Sequence, residues 1–544
     1  MKKIIHSSAI LIIALFINKI SFGLSQKIEN KTYDVVVYGG TASGVMAAIA
    51  AAREGAKVVV LEPKLHIGGM VTGGLSATDI GRRSVIGGYP LEFFKRLGKY
   101  YNYQSMTRDS IGWFPEPHVA ELVLNQMVKE AGVTVLYKQR LKEKGGVKKK
   151  NGKIITIVME NGKEFTGKVF IDATYEGDLM AFAGVSYIVG RESQSQYNEY
   201  SAGIRDAFGS QSAYDDNGKL LPGVQTQAPE PVGFGDGKTQ AYNFRLSLTN
   251  NPDNMIPFSK PERYDTSRYT ELLRTTLTAI RKEGAVQAAE HIFPGMGKVP
   301  RNKVDLNTAD YVGANWDYPD GSYKRKKEIW DDHVNYVAGY MYFLGHDTRL
   351  PQAYRDAINL WGLSKDEFVD NHHWPYELYV REARRMVGEH VITQQDVVSD
   401  LQKTDAVGLG SYGLDVHPVQ AWVNEKGLLK YEGRPQRTEQ ERMKHIPYQI
   451  PYRALIPKKS QVKNLLVPVC MSASHVAYST LRMEPQFMIL GQAAGTAAYL
   501  AAKQQKSVQD IDNKELATIL HARGAYLESS IKTLKDLKPG MGID

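Results

Sequence analysis

Six residues do most to limit what this chain can fold into: Gly39, Gly40, Thr41, Ala42, Ser43 and Gly44, set between a β-forming run and an alanine-rich helical pattern. Residues 33–38 (YDVVVY) are apolar on both faces, as a central parallel strand must be. Residues 45–54 (VMAAIAAARE) follow as a helix, and residues 57–61 (KVVVL) as a second strand. Together they make one β-α-β unit of about thirty residues. Gly39 permits the tight turn, and Gly44 lets the helix pack close to the sheet. The backbone N–H groups of the helix start, at Ala42 and Ser43, suit an anion such as a diphosphate. Thr41 stands where the usual pattern has its middle glycine, with a hydroxyl that can face a phosphate. Glu62 ends the second strand, at the spacing of a carboxylate that accepts hydrogen bonds from a ribose. An acid there disfavours a 2′-phosphate, which argues against NADP.

The residues after Glu62 separate a flavin site from a nicotinamide one. Gly68, Gly69, Met70, Gly73 and Gly74 form a bare stretch (GGMVTGG) that can approach a large planar ring closely, which a plain NAD dehydrogenase does not need. With this segment in place the chain resembles the FAD-dependent oxidoreductases of the glutathione-reductase-like superfamily, and is most similar to a family found among exported bacterial proteins. Three further segments carry the resemblance. Residues 170–179 (FIDATYEGDL) are similar to the second flavin signature, which implies that Asp172, Ala173 and Thr174 close over the adenine half of FAD. Tyr175 stands where glycine is common. Residues 381–389 (REARRMVGE) are similar to an arginine-rich helix of the family. Residues 482–495 (RMEPQFMILGQAAG) are similar to its C-terminal flavin motif, which implies cofactor contacts for Gly491, Gln492 and Ala493 at a helix start.

The implied fold class is α/β: a Rossmann-type, glutathione-reductase-like FAD-binding domain, split in sequence, with a large inserted α+β substrate or cap domain. Its first part covers residues 33–185 and contains a helix over 117–132, a strand over 133–137 and hairpins turning at Asn151-Gly152 and Asn161-Gly162. Residues 186–459 are rich in Tyr, Pro, Asn and Trp and show no β-α-β alternation, which marks the insert. Its helical patches fall at 269–282 and 328–344. The FAD domain resumes over residues 460–505 with a strand at 464–469 and a helix at 491–502, and residues 506–544 form a helical tail.

Flavin hydride chemistry needs a proton donor or acceptor near the ring and positive charge where oxyanions sit. His475 and Arg482 lie between the last strand and the last flavin motif. Tyr412 and His417 lie in a glycine-permissive loop (GSYGLDVH) of the insert. These four are the candidate catalytic residues. Three have a plainer alternative: a strand-end histidine for His475, a loop histidine for His417 and an arginine paired with Glu484 for Arg482. Arg381, Arg384 and Arg385 have Glu377, Glu382 and Glu389 at helical spacing, which favours an ion-pair network over a substrate clamp. No metal site is expected: His372 and His373 are adjacent and have no accompanying ligand pattern. Cys470, the single cysteine, lies in an apolar strand and excludes both an intrachain disulfide and a dithiol relay. His66 precedes the glycine pair and is a candidate for covalent flavin attachment.

Residues 1–23 read as a cleavable signal peptide: Lys2 and Lys3, an apolar run over 9–17 (AILIIALFI), then Ser21 and Gly23. The run is too short to span a bilayer, so an exported protein, periplasmic or secreted, without a stable membrane anchor is expected. The net charge of +9 is spread along the chain, without the aromatic interleaving of a nucleic-acid groove. The expected partners are therefore a small-molecule substrate and an electron acceptor that the sequence does not name. Export and an insert full of Tyr and Trp favour a polar, carbohydrate-derived substrate. The rival reading is an exported carbohydrate-binding protein that keeps the flavoprotein fold without turnover.

Overall fold

A computed structural model of the chain describes residues 32–103, 110–293, 299–435 and 446–529. The signal-peptide reading over residues 1–23 lies outside these, as do residues 530–544 of the tail. Strand β1 (Thr32–Tyr38), helix α1 (Ala42–Arg53) and strand β2 (Val58–Leu61) form the expected β-α-β unit. Helices α2 (Met70–Gly73), α3 (Gly88–Tyr100) and α4 (Pro117–Glu130) lead to β3 (Thr134–Leu136), then to β4 (Val147–Lys150), β5 (Lys153–Val158) and β6 (Glu164–Asp172). The sheet order is β3-β2-β1-β6-β5-β4, with β1, β2, β3 and β6 mutually parallel. Strand β6 is shared along its length. Its N-terminal half pairs antiparallel with β5, and its C-terminal half pairs parallel with a short strand near the chain's end. Val35, Val36, Val37 and Tyr38 of β1 are buried, because helices cover one face and the β4–β5 hairpin layer covers the other.

The insert is built differently. Strands β7 (Leu246–Thr249), β8 (Met255–Ile256), β9 (Lys303–Leu306) and β10 (Gly362–Ser364) form a four-stranded antiparallel sheet in the order β9-β7-β10-β8. Helix α5 (Tyr323–His346) is its longest element, beginning five residues before the sequence pattern at residue 328. Its start is capped by Ser322, whose hydroxyl accepts from the Arg325 N–H.

Three elements near the flavin motifs differ from expectation. The returning strand β11 (Leu465–Leu466) is shorter than residues 464–469, and Pro468, without an N–H, cannot extend a ladder. After α6 (His475–Leu481), the last long helix is α7 (Glu484–Gln504), which starts a full two turns before residue 491, with Pro485 in its first turn. Residues 381–389 are not a helix: Arg385–Met386 is a strand paired with Tyr187–Ile188, and Arg384 and Arg385 answer mostly distant carboxylates, with Glu382 the one local partner. Arg384 binds Asp178 at 2.7 Å and Asp320 at 2.8 Å, while Arg385 binds Glu192 and Glu382, each at 3.0 Å. Among the described residues no helix is long and apolar enough to cross a membrane. The tail contributes α8 (Asn513–Ala522), packed against α7.

Candidate functional site

The C-terminal ends of β1, β2, β3 and β6 open into a cavity of about 480 Å³. Its walls include Gly39, Thr41, Glu62, Gly69 and Thr174, five of the residues singled out in the sequence. Gly39 has φ +96, and a Cβ there would meet the Thr174 backbone nitrogen at 2.9 Å. A Cβ on Gly44 would lie 2.0 Å from the Gly39 carbonyl oxygen, so that glycine closes the turn onto the helix. The Thr41 hydroxyl does not wait for a phosphate. It donates to the Ala173 carbonyl at 2.7 Å and accepts the Gly44 N–H at 3.2 Å, capping α1 and tying it to the end of β6. Ala42 and Ser43 open the helix, both buried, and the Ser43 hydroxyl has no partner.

Glu62 is buried at the mouth of β2. Its carboxylate accepts the Gly40 N–H at 2.7 Å and the Lys64 N–H at 2.6 Å. Burial, reinforced by the nearby Glu377, raises its pKa to about 7. Asp172 is an internal brace. It accepts from the Thr174 hydroxyl and N–H and from the Met180 N–H, and burial still raises its pKa to about 6. Tyr175 explains why Gly69 must lack a side chain: its hydroxyl would lie 2.3 Å from a Cβ there. That hydroxyl accepts the Met70 N–H at 2.8 Å and donates to Glu484 at 2.6 Å. Gly68 donates to the Gly40 carbonyl at 2.6 Å, so the glycine segment is laced to the first turn. Gly73 is crowded by Glu377, whose Cγ would lie 2.6 Å from a Cβ.

Gly491, Gln492 and Ala493 lie in the middle of α7 and pack inside the protein. Cβ atoms on Gly491 and Gly495 would fall 2.1 Å from the Ser43 carbonyl oxygen and 2.0 Å from that of Ala47, so these glycines let α7 lie against α1. Ala493 is fully buried in the same core. Gln492 accepts the Tyr89 N–H at 2.8 Å, fixing the start of α3. The polar atoms at the helix start belong to Glu484, which meets Tyr175 while Arg482 pairs with Asp415, and to Gln486. One Glu484 oxygen and both amide atoms of Gln486 are buried without a partner.

From Gly69 the glycine segment runs on to a second constellation, reached also by residues 376–382. Arg381 lies 4.8 Å, Arg245 5.7 Å and Arg482 5.8 Å from the Tyr379 ring centre. Arg482 donates to the Tyr379 hydroxyl at 3.1 Å and to Asp415 at 2.9 Å. Arg381 donates to the Ala241 carbonyl and pairs with Asp310 at 3.0 Å. Arg245 binds Asp305 at 2.7 Å, with Asp79 at 3.8 Å. His417 joins the set through Nδ1, 2.6 Å from Asp310, with Nε2 3.8 Å from Asp415. Tyr412 donates to Asp79 at 3.1 Å. Burial favours protonation of Asp310, yet Arg381 and His417 hold its carboxyl well below the usual range. For Asp415 burial again opposes ionisation, and Arg482 and His417 outweigh it to lower the pKa. Side chains of Asp79 and Asp415 keep 28% and 27% exposure, while those of Arg245 and Arg482, which face them, keep 4% and 1%.

Thus Arg482, His417 and Tyr412 come together, and His475 does not join them. It is 3% exposed, with Nδ1 2.8 Å from Glu382, inside the network of Arg385, Glu382 and Glu192. Its own N–H donates to Glu192 at 2.9 Å. Sequence reasoning missed Tyr379, Asp310, Asp79 and Arg245. Asp79, five residues beyond Gly74, was the one with a local signal. His66 is held at both ring nitrogens, 3.0 Å from Glu121 and 3.0 Å from Asp370, and stacks on Tyr376. Cys470 is buried, its thiol directed at the Thr174 and Tyr175 carbonyls. A further acid-rich cluster, Glu116, His118, Asp366 and Glu367, surrounds the Lys303 ammonium, which lies 2.7–2.8 Å from its three carboxylates.

The model of one family, FAD dependent oxidoreductase, matches residues 34–520. The chain belongs to this family. No curated protein matches it. Solved structures overlap it in part. OxyS anhydrotetracycline hydroxylase from Streptomyces rimosus aligns over 35% of this chain and 39% of its own, at 16% identity and a TM-score of 0.24. A flavin-containing monooxygenase from Stenotrophomonas maltophilia aligns over 31% and 44%, at 19% identity and a TM-score of 0.20. A geranylgeranyl bacteriochlorophyll reductase-like protein from Thermoplasma acidophilum aligns over 29% and 43%, at 24% identity and a TM-score of 0.21. The chain thus spans less than half the length of each.

The residues present fit FAD. Gly39 and Gly69 leave bare backbone at the cavity wall, Glu62 has unused lone pairs there, and Ser43, Glu484 and Gln486 hold buried polar atoms without a partner. The turn at residues 39–44 would hold the diphosphate, Glu62 the ribose, and residues 68–73 the ring. When bound, FAD supplies a two-electron carrier that gives or takes a hydride.

Proposed function

We propose that this protein is an exported FAD-dependent oxidoreductase that moves a hydride between the flavin and a carbon of a small, polar, carbohydrate-derived substrate. The observation that carries this reading is the gathering of Arg245, Arg381 and Arg482 about Tyr379, with His417 between Asp310 and Asp415. Oxidising an alcohol carbon requires a base for the hydroxyl proton and positive charge beside the oxygen. His417 is the group suited to take that proton. Asp310, ionised by its neighbours, fixes the Nδ1 side of the ring and supports the imidazolium that forms. Arg482 and Arg381 are already oriented by Asp415 and Asp310, so they need no rearrangement to stabilise an oxyanion. Four carboxylates answer the arginines and the histidine, which leaves no large cationic surplus. That balance favours a hydroxylated substrate over a polyanion. In this reading His475, bonded to the buried Glu382, supports the network and does not touch the reacting atoms. Export rests on the sequence of residues 1–23.

An absorption spectrum of the purified protein, before and after anaerobic addition of sugars, uronic acids and hydroxy acids, tests this. Bleaching by a sugar or uronic acid is the expected result. Flavin bands that no member of the panel bleaches would overturn the oxidative reading in favour of a binding role.

A further inference from the structure

The main cavity is not built by the dinucleotide-binding sheet alone. Tyr318, Tyr323, Lys326, Lys327 and Trp330 of the insert form part of its wall, all but Tyr318 from the first turns of α5. These turns are fastened to the sheet. The Tyr323 hydroxyl donates to the Leu141 carbonyl at 2.8 Å, and the Tyr323 N–H donates to Glu143 at 2.7 Å. Lys326 reaches Asp178 at 2.9 Å, and the Tyr318 hydroxyl donates to Glu176 at 3.0 Å. The fastened turns leave aromatic surface facing the hollow, and the Lys327 ammonium at its wall rests 2.5 Å from the exposed Asp331, one turn along α5, a partner it would leave to meet an anion. Trp330 is braced edge-on by Phe244, with ring centres 5.2 Å apart, and Lys327 sits 5.5 Å from the Trp330 ring.

The sheet residues around the same hollow lie after β2 and β3: Glu62, Pro63, Lys64, Leu65, Lys138 and Arg140. This is the ribose side of the glycine turn. The glycine segment leads away from it, toward Arg245 and Asp79, where the reacting ring is needed. The hollow bounded by α5 is therefore the place for the adenosine diphosphate half of the cofactor.

We propose that α5 of the insert is an adenosine clamp, with Trp330 as a stacking wall for the base and Lys327 as a cation for the diphosphate. Loading of FAD then joins the two regions of the chain. The clamp rests on the cavity's being the cofactor site, and adenosine diphosphate separates the two ideas because it carries no flavin.

Calorimetric titration of ADP into the full chain stripped of flavin tests the clamp. The wild type is expected to bind ADP, and Trp330→Ala to bind it about tenfold more weakly, the usual effect of removing a base-stacking aromatic. Lys327→Glu, on an exposed helix face, is expected to weaken binding about fivefold without affecting folding. In the loaded protein the same charge reversal is expected to speed FAD release on dilution, read by recovery of flavin fluorescence. Unchanged ADP affinity and unchanged FAD release in both variants would overturn the clamp while leaving FAD binding intact. A wild type that binds FAD but not ADP would overturn the placement of the adenosine half. A protein that binds neither would overturn the cofactor site itself.

Discussion

The two halves of the site are assembled from opposite materials. Around the sheet ends, the proposed recognition is built largely from backbone: glycines at 39, 40, 44, 68 and 69 and N–H groups of a helix start, with Glu62 as the ribose carboxylate among others in the wall. Where the insert meets Arg482 of the resumed FAD domain, it is built from charged side chains that answer one another, Arg245 with Asp305, Arg381 with Asp310 and Arg482 with Asp415. A backbone site can be altered only by adding atoms, whereas a charge network fails when one partner is removed. The first kind of damage should empty the flavin site, and the second should leave a yellow, inactive protein.

The largest effect is expected on the charge network. Arg482→Met removes the guanidinium that ties Tyr379 to Asp415, and turnover of any substrate that bleaches the wild type should fall about 10²–10³-fold. The flavin absorbance per protein should be unchanged. Gly39→Val comes next: its side chain meets the Thr174 backbone at a φ of +96, and FAD should bind about a hundredfold more weakly by equilibrium dialysis. Loss of turnover with full flavin content in Gly39→Val would erase the contrast. Glu62→Arg strips the Gly40 and Lys64 N–H groups of their acceptor, and its FAD affinity should fall by about tenfold or more.

How far the sequence revealed each half follows from the same contrast. The cofactor half is local: Gly39 to Glu62 spans one β-α-β unit, and the glycine segment begins six residues later. Its strand, helix and turn were all legible from apolar runs and glycine spacing. The insert half draws on residues 79, 245, 305, 310, 379, 381, 415, 417 and 482, which only tertiary folding brings together. His417, Tyr412 and Arg482 could be singled out as unusual groups in permissive loops, but their carboxylate partners carried no spacing signal. The acid partner of His475 was hidden for the same reason, since Glu382 is 93 residues away. Gly491 to Ala493 resembled a cofactor motif because close helix packing and close ligand approach both demand small residues.

The smallest effect sharpens the boundary between the halves. Glu484 is buried with one oxygen unpaired, and burial raises its pKa from 4.5 to about 8. The folded chain therefore holds a proton that the unfolded chain loses above pH 4.5, and this contribution to stability is lost as pH rises toward 8. Glu484→Gln keeps an acceptor for the Tyr175 hydroxyl and removes the titration. Its melting temperature should fall less than that of the wild type between pH 5 and pH 8, by roughly a few degrees. Parallel melting curves would show that Glu484 finds a partner in the folded protein.

The most direct test of the central claim, that chemistry occurs at the insert's network and not in the buried support, is anaerobic stopped-flow bleaching of the flavin by the best substrate of the panel. His417→Gln and His475→Gln should be compared at equal flavin content. His417→Gln is expected to slow bleaching about 10²–10⁴-fold, while His475→Gln chiefly lowers thermal stability and bleaches within about tenfold of wild type. Bleaching at the wild-type rate in His417→Gln, with loss of bleaching in a folded, flavin-loaded His475→Gln, would contradict it.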